Sequence, residues 1–340
     1  MMRMFNKVLN ENQNTLTLNQ LKEQLSREYD GSTVINLMRR YCLQASSKNI
    51  LKTGMEFLYM NGFYDDLQVL IKKNMESGSP SNKQWALIYQ IIIDRRLNHY
   101  TPHELLQSIS KINTAEPELL CLIEFVKVTA YYDLKQYSKI GNLLEMHQQL
   151  LNEVGDKLLV SFFKIRLYQI MMTYYLTRNE IIMARKYGFR VLSRTESKRT
   201  KASTHIKLGL SYTFNSYEQG MYHLTEALQI AEENKLNNIA YIIKNHNIPF
   251  LSAHFNNVES ISTDDKSEQA HIEIAKGNDQ KAIEILNQLS LDSPFQLYYL
   301  GIATKDKDIL IQSYNYFIQK RSDYFFSRLP RKALKELGCY

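Results

Sequence analysis

Glycine and proline are scarce in this chain, 12 and 6 in 340 residues. Few turn residues mean long elements, which favours helices. Cysteine is scarcer still: Cys42, Cys121 and Cys339 are odd in number and far apart. That spacing excludes a disulfide framework and a zinc set, and predicts buried free thiols in a reducing cytosol. Nowhere does the chain offer the run of about 18 uncharged apolar residues that a membrane span needs. The N-terminal MMRMFNKVLNENQN has no apolar core for a signal peptide. A cytoplasmic protein with no membrane contact is expected. Period-two alternation bounded by turn residues is absent, so no sheet is expected. Phosphate-cradling glycine loops, H-E-x-x-H, G-x-S-x-G and clustered Cys/His sets are also missing, so neither an enzyme, a cofactor nor a metal is expected. The adjacent acids Asp264 and Asp265 point apart and read as a solvated turn. The eight histidines are scattered and read as surface or capping residues.

What the chain does have is tyrosine (23), phenylalanine (14) and apolar residues at helical spacing nearly throughout. Aromatic rings contribute large apolar areas and fill the gaps between stacked helices. Thr17 and Gln20 have capping-box spacing ahead of Leu18, Leu21 and Leu25. Helices are expected from about Val34 to Leu43, up to Asn61-Gly62, from Phe63 to about Met75 and from Trp85 to Arg96. The stretch Ser77–Ser81 reads as a loop. Thr101-Pro102-His103-Glu104 and Thr114-Ala-Glu-Pro read as helix starts. A short helix is expected after Pro330, and the polar stretch Asn256–Lys266 reads as a hinge or disordered connection.

From about residue 120 a repeat is visible. Tyr174, Tyr175, Ala184 and Val191-Leu192 are followed by Leu208-Gly209, Tyr212, Tyr217, Gly220 and Ala227-Leu228. Ala270, Ala275 and Ala282 recur later. Ala184 and Gly220 stand 36 positions apart, close to the roughly 34 of a tetratricopeptide repeat. Small residues belong where antiparallel helices cross closely. The expected fold is all-α, a tetratricopeptide-like right-handed superhelix of antiparallel helix pairs with a concave inner face suited to a peptide. The net charge of +7 is mild. The basic run from Arg194 to Lys201 is either a solvated turn or a carboxylate or phosphate contact.

Several stretches, in order and at nearly constant spacing from about residue 5 to residue 338, are similar to one family. They are Leu37–Leu43, Arg166–Leu192, Leu208-Gly-Leu-Ser with Asn215–Glu218, Glu268–His271, and Asp323 through Arg328-Leu329-Pro330. The chain resembles AimR, the arbitrium peptide receptor of Bacillus phages, within the superfamily that includes Rap, NprR, PlcR and PrgX. The resemblance implies a helix-turn-helix head, a tetratricopeptide-like body and a short secreted signalling peptide in the concave face. It implies a regulator that activates a phage gene when peptide-free and is released by peptide, which favours lysogeny.

It also implies a site. Arg199 matches a peptide-contacting arginine, and Glu268 and Asp323 match acids turned toward an arginine of the peptide, as carboxylates favour a guanidinium. The alternative is that Glu268 caps its own helix near Ser267 and that Asp323 pairs with Arg321 or Arg328 at the surface. Positions that carry asparagine in the family are Thr173, Thr177 and Leu210, which offer less to a peptide backbone. The cognate peptide therefore differs, or peptide binding has decayed.

Residues 1–32 read as the remnant of the DNA-binding head and a linker, and 33–340 as the peptide-binding domain. Phe5–Asn10 matches the recognition helix, with no room before it for the bracing helix. Two readings fit: an upstream start that restores the head, or a headless regulator or adaptor acting by protein contacts. A homodimer is compatible, although the family's leucine-rich tail is much reduced here. Residues 1–60 carry eight Lys/Arg and five Asp/Glu, a balance of +3. The chain as written should therefore bind duplex DNA weakly and without sequence preference, at Kd around 10⁻⁴–10⁻⁶ M. Titration against the DNA upstream of its own gene checks this, and a nanomolar sequence-specific complex would refute the headless reading.

Overall fold

The computed structural model describes residues 16–338, and its regular elements are all helices. The Phe5–Asn10 remnant and Cys339 lie outside the described residues. Most helices pack on the next in sequence and, repeatedly, on the next but one. That nearest-neighbour pattern belongs to stacked helical repeats. No described helix is long and apolar enough to cross a membrane. The chain divides into two compact units. One comprises residues up to Leu134 with Asn142–Leu167, and the other Lys135–Gly141 with Tyr168 onward. The division lies within the stretch read above as a single peptide-binding domain.

The first unit is built by its caps. Thr17 accepts from the Gln20 N–H at 3.3 Å while Gln20 Oε1 accepts from the Thr17 N–H at 2.9 Å, which closes the box that starts Leu18–Leu25. Asp30 caps Gly31–Gln44, and left-handed Gly62 ends Lys48–Asn61. Thr101 and Glu104 cap Pro102–Ser110 reciprocally. Two boundaries differ from the sequence reading. Ser79 caps a helix that begins at Pro80, so Ser81 is helical and the loop is shorter. Pro330 lies inside the last helix, Arg328–Glu336, within the first turn, where its missing N–H leaves no bond unmade.

Cys42 and Cys121 are buried free thiols, as expected. Trp85, Tyr89, Tyr41 and Phe57 are among the largest fully buried side chains. Within this core sits a carboxylate, Glu56, fully buried. Arg166 engages it with two bonds of 2.8 and 2.7 Å, and the Tyr89 hydroxyl donates to the same group. The guanidinium also lies 4.4 Å over the Tyr59 ring. A buried charge is tolerable only when it is matched this completely.

In the second unit, the helices Lys198–Leu210 and Tyr217–Glu233 cross backbone to backbone. A Cβ on Gly209 would lie 2.9 Å from the Gly220 carbonyl, and one on Gly220 would lie 2.6 Å from Leu251 Cδ2. Gly220 therefore stands where the repeat has Ala, at a crossing where an added methyl would press on the Gly209 carbonyl at 3.2 Å and push the buried Leu251 side chain aside. Further along, a π-turn at Ile243–Asn247 precedes Pro249. Proline has no N–H for the carbonyl four residues back, that of Asn245. The Thr263 hydroxyl donates to that carbonyl at 2.7 Å, and the Asp264 N–H donates to Asn245 Oδ1 at 2.9 Å.

These bonds correct the reading of Asn256–Lys266 as a hinge or disordered connection. The segment is tied to the proline break, buries Val258, and ends with Asp265 capping Lys266–Ala275. The histidine reading is corrected as well. His223 and His271 are buried, and burial pushes their pKa values down to about 4 and about 3.

Gly220→Ala should cost about 1–3 kcal/mol by overpacking. Gly31→Ala, where nothing lies within 4 Å of a new Cβ, should be neutral or stabilising by about 0.5–1 kcal/mol. Urea midpoints measure both, and equal effects at the two positions would contradict the close crossing.

Candidate functional site

The second unit contains the residues the resemblance singled out. Lys157–Thr177 presents Thr173 and Thr177 near its C-terminal end. Both hydroxyl protons are already used within the helix, Thr173 donating to the Gln169 carbonyl at 3.1 Å and Thr177 to that of Tyr174 at 2.9 Å. Each oxygen can therefore only accept. Thr173 does accept, from the Lys207 ammonium at 2.6 Å. Burial lowers the Lys207 pKa to about 8. Arg199 is half-buried in the first turn of the same helix, Lys198–Leu210, whose N-terminus Ser197 caps.

Asp323 is reached from the other end of the unit. Helix Lys307–Asn315 runs on through a π-turn, Tyr316–Arg321, and stops at left-handed Ser322. The chain then crosses Thr177, whose carbonyl accepts the Tyr324 and Phe325 N–H groups at 2.7 and 3.2 Å. Phe325 packs with Leu176 and Ala184. Asp323 itself is buried, and its Oδ1 accepts the Phe326 N–H at 3.0 Å. Burial raises its pKa to about 6, against the Phe326 bond and the Arg321 charge, which both lower it. The surface-pairing alternative therefore fails for Asp323.

Glu268 is buried in the first turn of Lys266–Ala275. It does not cap that helix; its N–H donates to the true cap, Asp265, at 2.9 Å. The Tyr299 hydroxyl lies 3.1 and 3.2 Å from its two carboxyl oxygens, a single donor shared between them. Burial pushes the Glu268 pKa up to about 8, with the Tyr299 bond acting the other way. His271 stacks on Tyr299 at 4.2 Å. Its Nδ1 is 3.6 Å from Glu268, and burial keeps the ring neutral. Phe250 contacts both His271 and Phe326, each at 5.8 Å between ring centres. A run of rings thus leads from Glu268 to the backbone that holds Asp323.

The structure accordingly joins Thr177 to the Asp323 turn, connects Glu268 to it through packed rings, and groups Thr173 with Lys207. Among the described residues no lysine or arginine forms an ion pair with Glu268 or Asp323. Lys207, Tyr299 and His271 were not singled out in the sequence. Lys207 lies between Ile206 and Leu208 with no charge pattern around it, and the two rings read as ordinary packing.

The Glu268 carboxyl makes a direct prediction. Its folded pKa lies above the ordinary 4.5, so the folded state holds a proton that the unfolded state has lost. The stability this gives is complete below about pH 4.5 and disappears as pH rises through about 8. Glu268→Gln should therefore gain stability relative to wild type between pH 5 and pH 9, by more than about 1 kcal/mol. Denaturant midpoints across that range test it. A difference between the two proteins that does not change with pH would show an ionised Glu268.

Known proteins share this architecture. The family model described as AimR transcriptional regulator-like matches residues 34–336. The AimR transcriptional regulator of Bacillus phage SPbeta is 25% identical over 323 residues, covering 92% of this chain and 81% of that protein. The AimR transcriptional regulator of Bacillus phage phi3T is 20% identical over 320 residues, covering 89% and 82%. Among solved structures, that of phAimR with its ligand superposes with a TM-score of 0.78 at 19% identity, covering 96% of this chain and 99% of that one. At that identity the superposition shows a shared fold. The match to the family model extends over nearly the whole of the described chain, and the chain belongs to the AimR transcriptional regulator-like family.

Proposed function

We propose that this regulator senses a short signalling peptide and that the second unit holds it, with Glu268 and Asp323 meeting an arginine of the peptide. One observation carries the assignment: two carboxyl groups are buried with raised proton affinity, and neither forms an ion pair with a lysine or arginine among the described residues. A group that holds a proton for want of a counter-ion gains most from an incoming guanidinium, which supplies both the charge and the hydrogen bonds. Arg199 meets the peptide elsewhere, at a carbonyl or its terminal carboxylate. Thr173 and Thr177, left as acceptors, face peptide N–H groups. An asparagine would also donate, so the cognate peptide differs from those read by asparagine-bearing relatives. The superposition on a ligand-bound phAimR supports a ligand in this fold. The function is a switch in the phage lysis–lysogeny decision, operating in the host cytoplasm where an imported peptide would meet it.

Calorimetry with the peptides encoded beside the gene tests the assignment. Glu268→Gln and Asp323→Asn should each weaken binding by about tenfold to a hundredfold, the worth of one charge-assisted hydrogen bond. Unchanged affinity in both variants would remove the two acids from the site.

A further inference from the structure

Beside the Thr177 crossing the second unit has a cavity of about 370 Å³ that the peptide reading does not use. Its charged lining is Arg178, Arg328 and Arg331, and no acidic side chain is among its walls. Arg178 forms an exposed pair with Glu180 at 2.8 Å. Arg328 reaches only neutral partners: Asn179 Oδ1 accepts from it at 3.2 Å, and its guanidinium lies 4.1 Å from the centre of the Phe214 ring. Partial burial lowers its pKa. Among the described residues neither Arg328 nor Arg331 has a carboxylate partner. Three guanidinium groups against one nearby carboxylate leave a surplus of about two positive charges in a partly enclosed space, where an uncompensated charge is costly.

We propose that this cavity is an oxyanion site for a phosphoryl group carried by a small ligand. The choice of phosphate follows from the charge and the donors. A single carboxylate would neutralise half of the surplus, whereas a phosphate monoester is close to a dianion and has three acceptor oxygens. Guanidinium forks match such oxygens in pairs. The volume exceeds what a bare phosphate needs, and Tyr314, Tyr324 and Ile318 supply aromatic and apolar wall for the rest of the ligand. The arrangement is built on fixed backbone. Arg178 follows Thr177, and Tyr324 and Arg328 flank the turn that Thr177 holds. Occupancy would brace the crossing that also positions Asp323.

The full-length chain is titrated with inorganic phosphate, with adenosine monophosphate and with sulfate, at constant ionic strength, following melting temperature and calorimetric heat. Saturable stabilisation by phosphate is expected, with tighter binding of the monophosphate and a weaker response to sulfate. Arg331→Gln, an exposed position, should weaken phosphate binding at least about tenfold while leaving the melting temperature of the ligand-free protein unchanged. Arg328→Lys keeps the charge and removes the fork, and should also weaken it. Peptide affinity in Arg331→Gln should match wild type, which separates this site from the proposed peptide site. Stabilisation that is equal in sulfate and phosphate, or that persists in Arg331→Gln, would overturn the proposal, as would a monophosphate that binds no better than inorganic phosphate.

Discussion

The carbonyl of Thr177 holds the candidate site together. It stands at the end of a 21-residue helix, where a carbonyl has no partner within the helix and must find one outside. Two consecutive N–H groups, those of Tyr324 and Phe325, supply it from almost 150 residues further along the chain. Everything of interest nearby is a consequence of where that crossing puts the chain. Phe325 enters the gap beside Leu176 and Ala184. Asp323 is turned inward onto the Phe326 N–H. Phe326 meets Phe250 and through it the rings around Glu268. Removing the crossing would release each of these groups together.

Electrostatics gives this framework its selectivity. The first unit shows what a satisfied buried charge looks like: Glu56 has a bidentate arginine and a tyrosine hydroxyl, and the arginine has an aromatic face. The second unit shows the opposite. Glu268 takes the Tyr299 hydroxyl and Asp323 takes backbone N–H groups, with no lysine or arginine ion pair to either among the described residues, and Lys207 donates to the oxygen of Thr173. The pKa of each is displaced toward neutrality by burial. Two buried carboxyl groups without an ion pair lower the stability of the free protein, and the same groups gain when a cationic ligand group arrives. A regulator that must change state on binding has a use for that difference.

Much of the fold was legible in the sequence because its signals are local. Thr17 with Gln20 and Thr101 with Glu104 state their caps within four residues, and Gly62 marks an end by itself. The repeat was legible through the small residues at 184 and 220, since close helix crossings leave no alternative. The failures are non-local. Asn256–Lys266 is polar and looked loose, yet Thr263 completes a bond that Pro249 leaves open, and nothing within the segment announces this. The buried histidines looked like surface residues because a single imidazole carries no periodic signal. For the site, Glu268 and Asp323 could be named from the resemblance, but their burial and their separate partners, Tyr299 and the Phe326 N–H, depend on the tertiary fold. Lys207 was invisible for the same reason.

The central claim is that Glu268 holds a proton which a cationic peptide displaces. Calorimetry of peptide binding at pH 7 in buffers of different ionisation enthalpy counts that proton directly. The account predicts net release, approaching one proton per peptide, that is abolished in Glu268→Gln, with affinity rising as pH increases toward 8. Binding of an arginine-bearing peptide with no proton release, and with affinity independent of pH between 6 and 8, would contradict it.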